Sequence, residues 1–486
     1  MNCRGCGILL HISSLPNKYG IGTFGKEAYQ FVSFLKESRQ KYWQVLPLGQ
    51  TTFGDSPYQT FSSYALNPYF IDYDILRQKG LLKLSDYKYL KTENSNIDYG
   101  TLYNTKYAVL KKAFQKFDVQ NEGFQKFIDE QKHWLDDYAK FMVIKNNHYG
   151  ASFNAWDNDY KYRNPDALNS LNQDEIMYWK FIQYEAFCEW FDLKKFANEN
   201  GIKIIGDIPI YVAYDSVDVW SNPKNWKLDE NLLPSVVAGV PPDAFSEDGQ
   251  LWGNPIYRYD VMEQDNFSWW VARISHSLKL FDIVRIDHFR GFESYFEIPS
   301  YEQTAKNGYW VKGPDIKLFN SLREQLGEIN VIVEDLGFLT DAVYQLLNET
   351  KYPGMKVLQF AFYENSDSLY LPHNHIKNSV VYTGTHDNMT TKEWFNSLPE
   401  KDKKYCMEYL GFAKEQQACM QIIKAALSSV ADYAIIPIQD YLELDKEARL
   451  NTPGKSQGNW QWRLKPRMLT DKLAKKMAEL AKMYGR

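Results

Sequence analysis

Short apolar runs recur along this chain, each closed by a polar residue and usually followed by a helical stretch. Eight stand out: GILLHI (7–12), YWQVLPL (42–48), IKIIGDIPIYV (202–212), FDIVRIDH (281–288), VIVEDL (331–336), MKVLQFAF (355–362), VVYTGTHD (380–387) and YAIIPIQD (433–440). Each is nearly continuous in apolar and β-branched residues and does not alternate with polar ones. That pattern predicts strands covered on both faces, as in a parallel sheet wrapped by helices. Helical periodicity follows the first run (KEAYQFVSFLKES) and the fifth (TDAVYQLLNET), and it precedes the eighth (EQQACMQIIKAALSS). The alternation predicts an α/β chain, with a closed (β/α)8 TIM barrel preferred to an open doubly wound sheet.

Two intervals are too long for simple crossovers. Residues 49–201 read as a mainly helical insertion after the second strand, with aromatic-rich periodicity through DEIMYWKFIQYEAFCEWFDLKKFANENG. Residues 213–280 read as a loop-rich insertion after the third strand, carrying Pro, Gly and Trp. Both leave from the C-terminal ends of strands, the barrel face where functional loops collect. With no Gly/Ser linker, low-complexity tract or evident short-period repeat, residues 1–486 are expected to form a single catalytic barrel with inserted subdomains.

Composition narrows the partners. A net charge of −5 gives no footing for nucleic acid or an anionic membrane surface, and it suits a neutral substrate. Aromatics make up 16% of the chain, with 35 Tyr and 14 Trp. Core packing accounts for most of them, and sugar platforms are the sharper use of the rest. Five Cys, an odd and sparse set, fit reduced thiols in a cytoplasmic setting. Cys3 and Cys6 form a lone C-x-x-C with no second pair or His pair to complete a metal site. The N-terminal apolar run is too short for a signal peptide, and no run is long enough to cross a bilayer.

Candidate chemistry lies at the strand ends. Asp207 interrupts IIGDIP, Asp287 ends IVRID, Glu334 sits in VIVEDL and Asp387 ends YTGTHD. A carboxylate in such a place costs several kcal/mol unless it is paired or hydrogen-bonded. One alone reads as a structural ion pair, whereas four converging on one barrel face read as a site. Paired carboxylates suit glycoside chemistry, in which retaining enzymes hold them about 5–5.5 Å apart. Neighbouring strand ends, about 4.8 Å apart, can supply that spacing. Arg285, two residues before Asp287, shares its strand face and is expected to lower its pKa, keeping it ionised as a nucleophile. The negative Asp287 should in turn raise Glu334, as an acid requires. His288 and His386 each adjoin a strand-end Asp and read as donors to sugar hydroxyls. The absence of H-x-x-x-H and H-x-x-E-H spacings argues against zinc.

Gly20, Gly22 and Gly25 spell G-x-G-x-x-G, but the loop SSLPNKY separates them from the preceding strand. The next strand also ends without the acidic residue a ribose would need, so these glycines are read as turn formers.

With these residues in hand, the sequence resembles the amylomaltase or disproportionating-enzyme family of 4-α-glucanotransferases, glycoside hydrolase family seventy-seven. The matching stretches include LLHISSLPNKYGIGTFG, LPLGQTTFGDSPYQTFSSYALNP, IIGDIPIYV, GVPPDAFSEDGQLWGNPIY, VRIDHFRGF, VIVEDLG, YTGTHDN and NTPG. The resemblance implies a (β/α)8 barrel with helical insertions and no cofactor. It also implies a retaining transfer of α-1,4-glucan segments to the 4-hydroxyl of glucose or a maltodextrin. Asp287 would then be the nucleophile, Glu334 the acid/base and Asp387 the transition-state stabiliser. The same match implies sugar contacts at Ser56, Tyr58, Asp207, Asp243, Gln250, Trp252, Asn254, Arg285, His288, His386 and Asn451. PPDAF departs from the Tyr-Phe that follows PPD in some members, with Ala244 removing one aromatic contact. The competing expectations are an α-glucan hydrolase of the α-amylase type and a non-catalytic glucan-binding barrel.

Overall fold

All eight apolar runs form strands that hydrogen-bond into one parallel sheet. A computed structural model describes residues 4–52, 54–242, 246–363, 367–455 and 457–486. The strands are β1 (Gly5–Leu9), β2 (Tyr42–Gln44), β3 (Lys203–Ile208), β4 (Ile283–Ile286), β5 (Val331–Val333), β6 (Gly354–Val357), β7 (Ser379–Tyr382) and β8 (Tyr433–Pro437). Their spatial order is β6-β7-β8-β1-β2-β3-β4-β5. The β5–β6 seam is bridged by the Val333 N–H donating to the Pro353 carbonyl at 3.0 Å. There the Met355 N–H also donates to Asp335 Oδ1 at 2.5 Å. Gly354 is required at that crossing, since a Cβ would fall 2.4 Å from Asp335 Oδ2. The sheet therefore wraps into a nearly closed barrel, the TIM type.

The strands are shorter than the apolar runs that announce them. Ile12–Ser14, for example, is already a 3-10 turn beyond β1. Gly22 backs onto that turn, and a Cβ there would sit 1.8 Å from the Ile12 carbonyl, so packing rather than nucleotide chemistry requires this glycine. Helices flank the sheet, among them Lys26–Glu37 after β1, Asp341–Thr350 after β5 and Ala418–Ser428 before β8.

Between β2 and β3 lie the long helices Glu122–Asn147 and Gln173–Glu199. Each starts at an Asn whose side chain accepts first-turn N–H groups, Asn121 for the first and Asn172 for the second. Aromatic pairs such as Phe127–Phe187 (5.4 Å) and Trp134–Phe187 (5.8 Å) hold them together. The second helix returns to the barrel, where Trp190 Nε1 donates to the Leu280 carbonyl. Much of the aromatic content is therefore core.

The interval 213–280, read as loop-rich, carries the helix Ser268–Leu280 and two strands. Val236–Val240 and Gln250–Pro255 join Ser294–Pro299 and Tyr309–Lys312 in a four-stranded antiparallel sheet. Gln250–Pro255 is broken by Gln, Gly and Asn and exposed over half its length, so it gives no apolar run to read. Among the described residues no helix is long and apolar enough to cross a membrane. None of their His, Cys, Asp and Glu groups could hold a metal ion. Cys6 is fully buried, and burial pushes its thiol up to about 11; Cys3 lies outside the described residues.

Candidate active site

Asp207 and Arg285 are register partners on β3 and β4, so both side chains point to one face of the sheet. Arg285 Nη1 donates to both Asp207 oxygens at 2.8 and 2.7 Å. Its Nη2 donates to Asp287 Oδ1 at 2.9 Å, as the two-residue spacing predicts. The Tyr58 hydroxyl donates to Asp207 Oδ2 at 2.8 Å, which brings the loop after β2 over the barrel mouth. That loop is fixed at Gln50, which accepts from the Tyr138 hydroxyl and donates to that of Tyr107, both on the inserted helices.

Glu334 continues the β4–β5 ladder. Arg285 pairs with Ile332 and Ile286 with Val333, and the Glu334 N–H then donates to the Ile286 carbonyl at 2.9 Å. Asp287 and Glu334 are thus the next pair in register, on neighbouring strand ends whose spacing is about 4.8 Å. Backbone N–H groups aim the Glu334 carboxylate: His288 donates to Oε2 at 2.7 Å and Leu336 to Oε1 at 2.8 Å. His288 adopts a left-handed backbone (φ 51°), the turn after which the Phe289 N–H donates to the Glu334 carbonyl at 3.0 Å. Its ring meets Trp252 edge-on at 4.9 Å.

Asp387 follows β7. Asn451 Nδ2 donates to its Oδ1 at 2.6 Å, and His386 Nε2 stands 3.3 Å from its Oδ2. The His386 ring stacks on Tyr58 at 5.1 Å. The two halves of the site therefore meet through Tyr58.

The electrostatics separate the three acids. Burial raises Glu334 to about 7, reinforced by the charge of Asp287 and opposed by Arg285 and the two backbone donors. Burial also raises Asp287, to about 6, despite Arg285. That overturns the expectation that Arg285 would hold Asp287 below its ordinary value. The guanidinium does lower it, but two of its three carboxylate contacts go to Asp207, whose charge together with that of Asp387 pushes the other way. Arg285 donates to Asp287 rather than to Glu334, which favours the ionised form at Asp287. Asp387 goes down to about 2: burial opposes ionisation, but His386 and the Asn451 amide outweigh it. The Asp387 side chain is 46% exposed, which weakens that opposition further. On His386 itself burial works against protonation, and Asp387 overcomes it to raise its pKa. Burial and Arg290 lower His288 to about 3, leaving a neutral imidazole.

The remaining predicted positions are more dispersed. Ser56 Oγ accepts from the Tyr58 N–H at 3.2 Å and shapes the turn that carries Tyr58. Trp252 Nε1 donates to Gln250 Oε1 at 3.0 Å, both on the small sheet. Asn254 is buried, and its amide is engaged by the Val212 carbonyl and Gln59, so it braces two loops. Asp243 and the adjacent Ala244 and Phe245 lie outside the described residues.

Sequence reasoning missed two neighbours. Trp460 lies 6.0 Å from both the Tyr58 and His386 rings and holds a left-handed backbone (φ 64°), strained for a bulky residue. Arg449 donates from Nη2 to the Asp387 carbonyl at 3.3 Å and from Nε to the Asn451 carbonyl at 2.9 Å. The tract around Trp460 has no periodicity to mark it. Arg449 had one signal, its place two residues before Asn451.

A parallel barrel with paired carboxylates on neighbouring strand ends is the arrangement of barrel enzymes of the glycosidic-bond class. The sequence profile of the 4-alpha-glucanotransferase family matches residues 10–470, and the chain belongs to that family. It is 51% identical to the 4-alpha-glucanotransferase of Clostridium butyricum over 98% of this chain and 100% of that one. It is 45% identical to that of Thermus thermophilus, covering 99% of each. Its fold superposes on the amylomaltase of Streptococcus agalactiae, solved with acarbose, with a TM-score of 0.97 and 40% identity over 99% of both chains.

Proposed function

We propose that this chain transfers segments of α-1,4-glucan to the 4-hydroxyl of glucose or a maltodextrin, by double displacement through a covalent glycosyl-enzyme. The observation that carries the reading is that Asp287 and Glu334 stand at the next step beyond the β4–β5 ladder, with Arg285 on Asp287 and burial raising Glu334 to about 7. Protonated Glu334 gives its proton to the glycosidic oxygen while a carboxylate oxygen of Asp287 bonds to the anomeric carbon. The C–O bond breaks, and the reducing-end fragment leaves with a new 4-hydroxyl. An acceptor then passes its 4-hydroxyl proton to Glu334, attacks the same carbon and expels Asp287, restoring an α-1,4 bond.

Asp387 holds ring hydroxyls with His386, most tightly as positive charge develops on the sugar. Asn451 fixes Asp387. Tyr58, Trp252, Gln250, His288 and Asp243 complete the sugar contacts. Arg285 and Asp207 act from beneath by orienting Asp287, and Ser56 and Asn254 hold the loops. No cofactor takes part. The free thiols Cys6, Cys188, Cys406 and Cys419 fit a cytoplasmic setting.

Incubation with maltotriose tests the reading. Glucose together with longer maltodextrins is expected. Shortening without longer products would make it a hydrolase, and glucan binding without turnover a non-catalytic barrel.

A further inference from the structure

The mechanism uses the inner face of the barrel rim. Met355 points inward on β6, where its sulfur meets Arg285 Nε at 3.5 Å, so Lys356 lies on the outer side. There a groove of about 370 Å³ opens between the 335–339 turn, the helix Asp341–Thr350 and residues 368–370. That size falls within the range of about 300–1,000 Å³ usual for ligand pockets.

Its lining is aromatic and polar at once. Tyr344, Tyr363 and Tyr370 present rings, and Asp335 and Lys356 present opposite charges. Tyr344 is 39% and Tyr363 52% exposed. One exposed ring needs no explanation, but two around a single groove do. Tyr370 is fixed by an edge contact with Phe360 at 5.5 Å and by Lys356 Nζ at 5.9 Å from its ring centre. Ring faces suit the apolar side of a pyranose, and phenol, ammonium and carboxylate groups suit its hydroxyls. The balanced charges favour an uncharged occupant.

The groove is also close to the reacting centre. Asp335 lies on its wall and is the residue after Glu334. The Tyr370 hydroxyl is raised by burial and, beyond that, by the charges of Asp335 and Glu334.

We propose that this groove is a second α-glucan site, which holds a distant part of a long chain while another part lies across Asp287 and Glu334. It rests on the function proposed above. Two-point attachment makes the second contact intramolecular and lowers the apparent KM of long glucans only.

Tyr344→Ala/Tyr363→Ala is compared with the wild-type chain on maltotriose, too short to reach both places, and on amylose. The KM for amylose is expected to rise about fivefold or more, with maltotriose kinetics unchanged within about twofold. Tyr344→Trp/Tyr363→Trp keeps the ring faces and should keep the wild-type amylose KM. An amylose KM within about twofold of wild type in the alanine variant, or equal losses on both substrates, overturns the proposal.

Electrophoresis through a gel containing amylopectin needs no turnover. The wild-type chain should be retarded more than the alanine variant, and equal retardation also overturns the proposal. If the wild-type chain fails to lengthen maltotriose, the transferase reading falls, while gel retardation still decides the groove.

Discussion

Arg285 gives Asp207 two contacts, of 2.8 and 2.7 Å, and gives Asp287 one, of 2.9 Å. Asp287 therefore receives the smaller share of a guanidinium that is buried with Asp207, whose side chain has no exposed surface. Asp207→Asn removes one of the charges that raise Asp287 and frees Arg285 for it. The acid limb of the pH–kcat/KM profile, set near 6 by Asp287, should move to lower pH. A profile on maltotriose whose acid limb stays or moves upward would contradict this sharing of Arg285.

Asp287 and Glu334 can be told apart by leaving group. Asp287→Asn should abolish transfer from both maltotriose and α-maltotriosyl fluoride, because no covalent intermediate can form. Glu334→Gln should cost about 10²–10⁴-fold on maltotriose. It should cost much less in the first step on the fluoride, which departs without a proton. Fluoride release measured in a single turnover checks both. Equal losses for the two variants would mean that the roles are not divided as drawn.

The fold was legible because most of its eight strands are covered on both faces, which leaves a near-continuous apolar run rather than an alternating one. Asp207, Asp287, Glu334 and Asp387 were legible because each interrupts or closes such a run. The four-stranded sheet was not, because Gln250–Pro255 faces solvent over half its length and two of the other strands, Ser294–Pro299 and Tyr309–Lys312, lie beyond β4. The pKa of Asp287 was not legible either. Spacing shows that Arg285 reaches it, but only the β3–β4 register shows that Asp207 takes most of the guanidinium. Trp460 reaches the site by a left-handed turn that no periodicity encodes.

Asp287 should also cost stability at neutral pH. Its folded-state pKa of about 6 lies above the unfolded carboxylate value of about 3.9, so the folded chain holds that proton more tightly. The resulting stabilisation is full below about pH 4 and is lost as pH rises through about 6. Asp287→Asn keeps an oxygen for Arg285 and stays neutral throughout. Its melting temperature should match wild type near pH 4 and exceed it by a margin that grows as pH rises through about 6 and then levels off. A gap that is largest at acid pH would reverse the sign and refute the raised pKa.

Arg449 should act on catalysis without touching substrate. It holds the backbone carbonyls of Asp387 and Asn451 together, at 3.3 and 2.9 Å, while Asn451 in turn holds the Asp387 carboxylate at 2.6 Å. Its Nη1 lies 3.8 Å from Glu393 Oε1, which anchors the guanidinium on the helix Thr391–Ser397. Loss of the fork leaves two carbonyls unheld and lets Asp387 drift from the position at which it meets the developing charge. A displacement of about 1 Å can cost about 100-fold. Arg449→Ala should therefore lower kcat by about 10- to 100-fold with little change in KM, because the missing contact matters mainly in the transition state. Arg449→Lys, with one compact donor head for two carbonyls, should recover only part of that. Parallel losses in kcat and thermal stability, with lysine no better than alanine, would reduce Arg449 to a structural support.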